Sequence, residues 1–110
     1  MNWVQLKEES QLAEISENSF SKPVLIFKHS TRCSVSIMAK RSFENDWNLA
    51  PDAVSTYFLD LIAYRSVSNK IAEQFKVEHQ SPQIILLKNG KVVYHVSHSD
   101  IDFKELTKVL

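Results

Sequence analysis

The sequence predicts an α/β fold, a three-layer sandwich in which helices cover both faces of a mixed β-sheet. Short apolar runs of strand length alternate with stretches whose apolar residues recur every three or four positions. An Asn89-Gly90 pair between two further apolar runs predicts a β-hairpin near the C-terminal end. The chain has 110 residues and 44% hydrophobic residues, which suits a single domain over residues 1–110.

Composition argues against several classes of function. The 13 Lys and Arg residues balance the 13 Asp and Glu residues, so no nucleic-acid surface is expected. A single cysteine excludes an intrachain disulfide and a multi-cysteine zinc site, and none of the four histidines has metal-site spacing. No signal peptide and no apolar run of ~20 residues is present, so we expect a cytoplasmic chain with no membrane partner.

The first half of the chain predicts two strands and two helices. Trp3–Leu6 is expected to be a short edge strand, and Glu8–Asn18 a helix with one apolar face. Val24–Phe27 is a continuous apolar run, which favours a strand buried on both faces. A second helix is predicted from Cys33 to about Asn48. It carries a stripe that we expect to pack in the core, made of Val35, Met38, Ala39, Phe43 and Trp47.

The second half predicts a strand, a helix, a hairpin and a last helix. The predicted bounds are Val54–Asp60, Ser66–Phe75, Gln83–Lys88 and Lys91–Val96, followed by a helix carrying Phe103, Leu106 and Val109. Asp100 or Asp102 is expected to cap this last helix. The first three strands are expected to be parallel, because helices connect them, and the hairpin adds antiparallel strands.

The candidate chemistry lies where the central strand gives way to the second helix, at Cys33. A helix N-terminus presents unpaired N–H groups and a partial positive charge. A sulfur there is stabilised as the thiolate, which is the nucleophilic form. We therefore interpret Cys33 as the nucleophile of a thiol–disulfide exchange protein. The alternative is a small buried hydrophobe, the commoner state of a lone cysteine.

The neighbours of Cys33 suggest supporting roles. Arg32 carries a guanidinium that could stabilise a thiolate, and Ser30 and Thr31 are expected to cap the helix or form the turn before it. Ser36 lies three residues after Cys33, the position of the second thiol in Cys-x-x-Cys redox sites. A hydroxyl there can donate to a thiolate but cannot form a disulfide. An outside thiol would therefore have to resolve any mixed disulfide.

Two features outside this segment leave alternatives open. His29 ends the central strand close to the cysteine and could tune the thiol, although most histidines near strand ends are structural or solvated. Ser81-Pro82 precedes a predicted strand, where a proline is ordinary and need have no function.

The element order, with a thiol at the start of the second helix, resembles a thioredoxin-like fold. The segments 29–36, 65–69, 79–83 and 88–91 together resemble the YtxJ-like monothiol bacilliredoxins, and the likeness covers nearly the whole chain. The resemblance implies a thiol–disulfide oxidoreductase linked to bacillithiol, a small bacterial thiol. Its partners would be bacillithiolated or otherwise S-thiolated proteins, with bacillithiol as co-substrate and no other cofactor or metal.

The resemblance also implies roles for individual residues. The Cys33 thiolate would attack the mixed disulfide and take the small thiol onto itself, and a second low-molecular-weight thiol would regenerate it. Ser36 would hold the place of a resolving thiol. Ser81 and Pro82 would form a cis-proline loop facing the cysteine and line the groove for the partner. Ser34 departs from the family pattern, which has proline there, and this could alter thiol reactivity or loop rigidity.

Two other functions remain open at the level of sequence. A thioredoxin-fold binding module without turnover would make Cys33 incidental. A monothiol glutaredoxin that carries an iron–sulfur cluster also uses Cys-x-x-Ser, but such proteins have a Gly-rich motif before the last helix. The segment 96–100 contains no glycine, which argues against the carrier.

Overall fold

A five-stranded sheet forms the middle layer of the computed structural model, which describes all residues 1–110. The strands are β1 (Val4–Gln5), β2 (Val24–His29), β3 (Ser55–Asp60), β4 (Gln83–Lys88) and β5 (Lys91–Ser97). The helices are α1 (Gln11–Asn18), α2 (Ser34–Asp46), α3 (Arg65–Phe75) and α4 (Phe103–Thr107), with a 3₁₀ turn at His98–Asp100 before α4. No helix has both the length and the apolar character needed to cross a bilayer.

The sheet has the order β1-β3-β2-β4-β5 and is mixed, as the sequence predicts. β1, β3 and β2 run parallel, because a helix separates each strand from the next along the chain. β4 lies antiparallel to β2, with Lys28 opposite Gln83, and returns through the Asn89-Gly90 turn as β5. β2 is therefore the central strand, and all six of its residues are buried.

Side chains alternate between the two faces of β2 and so feed two separate cores. One core joins β2 to α1 and α3, and its members include Leu12, Ile15, Val24, Ile26, Val67 and Ile71. The other joins β2 to α2 and α4, and its members include Leu25, Phe27, Phe43, Phe103 and Leu106. Helices thus cover both faces of the sheet, which confirms the predicted three-layer sandwich.

Two members of the apolar stripe on α2 do not lie in the core, so that part of the prediction is wrong. Phe43 is buried, but Val35 is 52% exposed and Met38 is 71% exposed. Successive residues turn about 100° around a helix, which places Val35 about 80° and Met38 about 140° from Phe43. A spacing of four therefore drifts off the buried face within three turns. Ser36, seven residues before Phe43, lies on that face instead.

Helix ends differ from the sequence expectation by a few residues. α1 begins at Gln11 rather than Glu8, and α2 ends at Asp46. Asp102 caps α4, because its Oδ1 accepts the Lys104 N–H at 3.1 Å. Asp100 belongs to the preceding 3₁₀ turn and is not the cap.

Candidate active site

The chain turns sharply between β2 and α2 and presents Cys33 at the head of the helix. The Cys33 N–H donates to the Ser30 carbonyl at 3.2 Å, which closes a turn over the exposed residues Thr31 and Arg32. Cys33 itself is the N-cap of α2, in an extended conformation, and is half-buried. Of the two roles expected for Ser30 and Thr31, both residues form the turn and neither caps the helix. Ser34 is the exposed first residue of the helix.

Ser36 is fully buried and links three parts of the site. Its Oγ accepts the Ser30 N–H at 3.1 Å and lies 2.6 Å from His29 Nδ1. The hydroxyl thus ties the end of β2, the turn and the first turn of α2 together one helical turn from the thiol. Donation from this hydroxyl to a Cys33 thiolate stays a prediction.

His29 is a neutral partner in this network. Its pKa is lowered from the ordinary histidine value, first by burial and then by the positive charge of Lys40, while Asp60 and Glu44 act in the opposite direction. A neutral imidazole carries one N–H and one acceptor nitrogen, so it can either donate to Ser36 or accept from it.

The Ser81–Pro82 peptide bond is cis, as the thioredoxin-like resemblance implies. Pro82 is buried and directly precedes β4, whose first residue Gln83 pairs with Lys28 near the end of β2. The loop that contains Ser81 and Pro82 therefore lies at the same edge of the sheet as the turn that leads to Cys33. Ser81 Oγ is buried and has no hydrogen-bond partner.

Hydrogen bonds of the Gln83 side chain fix the shape of this loop. Its Nε2 donates to the Glu78 carbonyl at 3.1 Å, and its Oε1 accepts the Gln80 N–H at 3.3 Å. After the loop, the Pro82 carbonyl accepts the His98 N–H at 2.9 Å. The cis-proline segment is thus held on one side by the Gln83 side chain and on the other by a backbone hydrogen bond.

Two residues that the sequence analysis did not single out lie beneath the loop. Lys28 is fully buried, and its Nζ donates to His79 Nδ1 over 2.6 Å. Burial lowers the pKa of Lys28 from 10.5 to about 8. Burial, Lys28 and Arg65 together lower the pKa of His79. The alternation of faces along β2 is the signal that could have found Lys28, since the strand continues into the site.

The arrangement offers one thiol and no second thiol. A thiolate attacks a disulfide sulfur and releases the other thiol, so a lone thiol at a helix start can carry out exchange and end as a mixed disulfide. No group of three or more His, Cys, Asp or Glu side chains is placed to hold a metal ion. Fold and site together define a monothiol thiol–disulfide oxidoreductase of the thioredoxin fold.

A sequence model of the family described as monothiol bacilliredoxin BrxC matches residues 4–106. The match covers nearly the whole chain, and the protein belongs to this family. The resemblance to monothiol bacilliredoxins inferred from the sequence motifs is thereby confirmed.

Solved structures support the same fold. A protein proposed to be an oxidoreductase with a thioredoxin fold has 29% sequence identity and a TM-score of 0.78, over 96% of this chain and 90% of its own. A thioredoxin of Malassezia sympodialis, Mala s 13, has 20% identity and a TM-score of 0.72, over 98% and 87% of the two chains. Thioredoxin f of spinach chloroplast has 14% identity and a TM-score of 0.71, over 98% and 83%. The last two show the fold alone.

Proposed function

We propose that this protein removes bacillithiol from mixed disulfides on other proteins by taking the small thiol onto Cys33. The Cys33 thiolate attacks the bacillithiol sulfur, the bond between bacillithiol and the client breaks, and the client leaves as a thiolate. A second low-molecular-weight thiol then attacks the new mixed disulfide. It attacks as its thiolate, with its proton released to water, so that it departs as a small-molecule disulfide with bacillithiol and leaves the Cys33 thiolate free.

The observation that carries the proposal is the half-buried Cys33 at the head of α2, with only a hydroxyl three residues later. Ser36 cannot close an internal disulfide, which leaves the adduct on Cys33 until an outside thiol arrives. The family relationship supports bacillithiol as that small thiol. Because a lone cysteine suits a reducing compartment, we place the reaction in the cytoplasm.

Clients would bind at the end of the sheet where the cis-proline loop precedes β4. Ser81 and Pro82 lie at the same end of the sheet as Cys33, and the backbone of the loop is already fixed by Gln83 and His98. The roles that we assign to Arg32, Thr31 and Ser34 are supportive, since they form the turn and the first residue of the helix.

Mass spectrometry of Cys33 after mixing with a bacillithiolated client protein tests the proposal. We expect the mass of one bacillithiol on Cys33 and an equal amount of reduced client, with neither change in Cys33→Ala. Absence of transfer by a folded wild-type protein, together with slow alkylation of Cys33, would support a binding module without turnover instead.

A further inference from the structure

A small cavity opens along α2, one helical turn after Cys33, on the opposite side of β2 from the cis-proline loop. It measures about 240 Å³ and is lined by His29, Ile37, Lys40, Arg41 and Glu44. We propose that this cavity binds the carboxylate-bearing part of the low-molecular-weight thiol while the sulfur of that thiol is bonded to Cys33. The inference rests on the proposed function and adds a chemical requirement for its small substrate.

The cavity lies on the β3 side of the site. Lys40 Nζ sits 5.1 Å from the ring centroid of Phe58, a residue of β3, whereas Pro82 leads into β4 on the other side of β2. A client chain at the cis-proline loop and a small thiol in this cavity would therefore approach Cys33 from different sides. Both could be present when the disulfide is exchanged.

The lining residues of α2 continue the line of Cys33 along the helix. At about 100° per residue, Ile37, Lys40 and Glu44 lie within about 40° of Cys33 in helical projection, and Arg41 lies about 80° away. Ile37 is about 6 Å and Lys40 about 10 Å further along the axis, at a rise of about 1.5 Å per residue. Helical side chains lean toward the N-terminus, so the unpaired Arg41 guanidinium can turn back toward the sulfur, whereas Lys40 Nζ is bonded to Glu44 one turn further along the helix.

A small thiol joined to Cys33 by a disulfide bond, and a few bonds long, would therefore extend over Ile37. Its acidic group would lie between Lys40 and Arg41. Ile37 is 41% exposed, so its side chain is available as an apolar surface for the stem of the ligand. The disulfide bond to Cys33 holds the ligand beside the cavity, which raises the effective concentration of its acidic group there.

The charges of the cavity favour an anion. The Glu44 carboxylate is already engaged, since its Oε2 accepts the Trp3 Nε1–H at 2.7 Å and Lys40 Nζ at 3.1 Å. Arg41 has no ion pair or hydrogen bond, and a guanidinium is well shaped to bind a carboxylate with two parallel hydrogen bonds. His29 is neutral and uses only Nδ1, which bonds to Ser36. One positive charge thus remains without a partner.

Matched small disulfides test this proposal. The full-length protein would be mixed with the disulfide of 4-mercaptobutanoate or of 4-mercaptobutanamide, and the rate of Cys33 modification followed by mass. The two probes have the same length and differ in charge. We expect the carboxylate disulfide to react about fivefold faster than the amide in wild type, since partly exposed charge pairs contribute modestly. We also expect the ratio to fall as ionic strength rises.

Charge-removing variants locate the effect. Arg41→Gln and Lys40→Gln should each bring the carboxylate-to-amide rate ratio close to one. The matched control is Lys91→Gln, which removes one exposed cation at the opposite end of the sheet and should keep the wild-type ratio. Thermal unfolding of each variant would verify that it is folded. Because two cavity variants are used, the test remains valid if one of them misfolds.

The outcomes separate the two proposals. If neither disulfide modifies Cys33, the proposed function is overturned and the cavity proposal with it. If both react at equal rates in wild type, exchange chemistry stands and the cavity proposal is overturned. It is also overturned if Arg41→Gln slows both probes equally.

Discussion

Lys28 and His29 are neighbours at the end of β2, and they hold opposite sides of the candidate site. Both side chains are buried, and they point to opposite faces of the sheet because strand residues alternate. His29 bonds to Ser36 and so connects the strand to the helix that carries Cys33. Lys28 bonds to His79 and so connects the same strand to the segment before the cis-proline.

The two connections differ in how well the buried group is satisfied. His29 is a neutral ring packed among aromatic side chains, with Phe58 at 5.3 Å between ring centroids, and its Nδ1 is matched by a hydroxyl. Lys28 is an amine with one nitrogen partner and no carboxylate. Burying a charge without a counter-charge is costly. The thiol side is therefore held by a stabilising hydrogen bond between His29 and Ser36. The proline side contains a buried charge, that of Lys28, which is destabilising.

Lys28→Met should give the largest effect on stability. Methionine fills a similar volume without a charge, so we expect the free energy of unfolding at pH 7 to rise by up to roughly 3 kcal/mol, the equivalent of the pKa shift of Lys28 from 10.5 to about 8. Urea denaturation of both proteins measures this. A loss of stability at pH 7 would show instead that the ammonium is well paired.

The pH dependence of the same pair identifies the cause. Between about pH 8 and 10.5 the unfolded chain still holds the Lys28 proton while the folded chain has lost it, so wild-type stability should rise with pH over this window. Lys28→Met should lack that rise, and the exposed control Lys91→Met should keep it. A rise of the same size in both variants would assign the effect to another group.

Serine substitutions compare the two sides directly, because Ser36 and Ser68 are both fully buried. Ser36→Ala would leave His29 Nδ1 and the Ser30 N–H without partners and should cost about 1–3 kcal/mol. Ser68→Ala removes only a contact of 3.4 Å to His79 Nδ1 and should cost less than about 1 kcal/mol. Chemical denaturation would measure both. Equal losses would contradict the difference between the sides.

The sequence predicted the sheet well because the relevant signals are local. A continuous apolar run fixes β2 as the buried central strand, and the Asn89-Gly90 pair fixes the hairpin between β4 and β5. The position of Cys33 at the start of α2 follows from the change in hydrophobic period at that point. The cis Ser81–Pro82 bond was implied only by the thioredoxin-like resemblance.

The contacts within the site could not be read in the same way. Lysine is rarely buried fully, so residue type gave no reason to place Lys28 inside, and His79 is 51 residues away in sequence. Ser36 was expected to face the sulfur, but whether its hydroxyl turns to His29 depends on the packing of α2 against the sheet. The exposed Val35 shows a related limit, since a repeat of four residues exceeds the helical period of about 3.6.

His29 should make the free energy of unfolding depend on pH on the acid side. Its pKa lies below the ordinary value of 6.5, so as pH falls through that range the unfolded chain takes up a proton before the folded chain does. Wild-type stability should therefore decline as pH falls below about 6.5, with a share from His29 of at most roughly 1.4 kcal/mol per pH unit. His29→Asn should show a shallower decline, because asparagine does not titrate.

The matched control is His95→Asn, at an exposed position of β5, and it should retain the wild-type slope. Because His79 also has a lowered pKa, part of the decline should persist in both variants. If the slope of His29→Asn equals that of wild type, protonation of His29 does not cause the loss of stability at acid pH. The contrast between His29 and Lys28 would then be supported only by the stability measurements at alkaline pH.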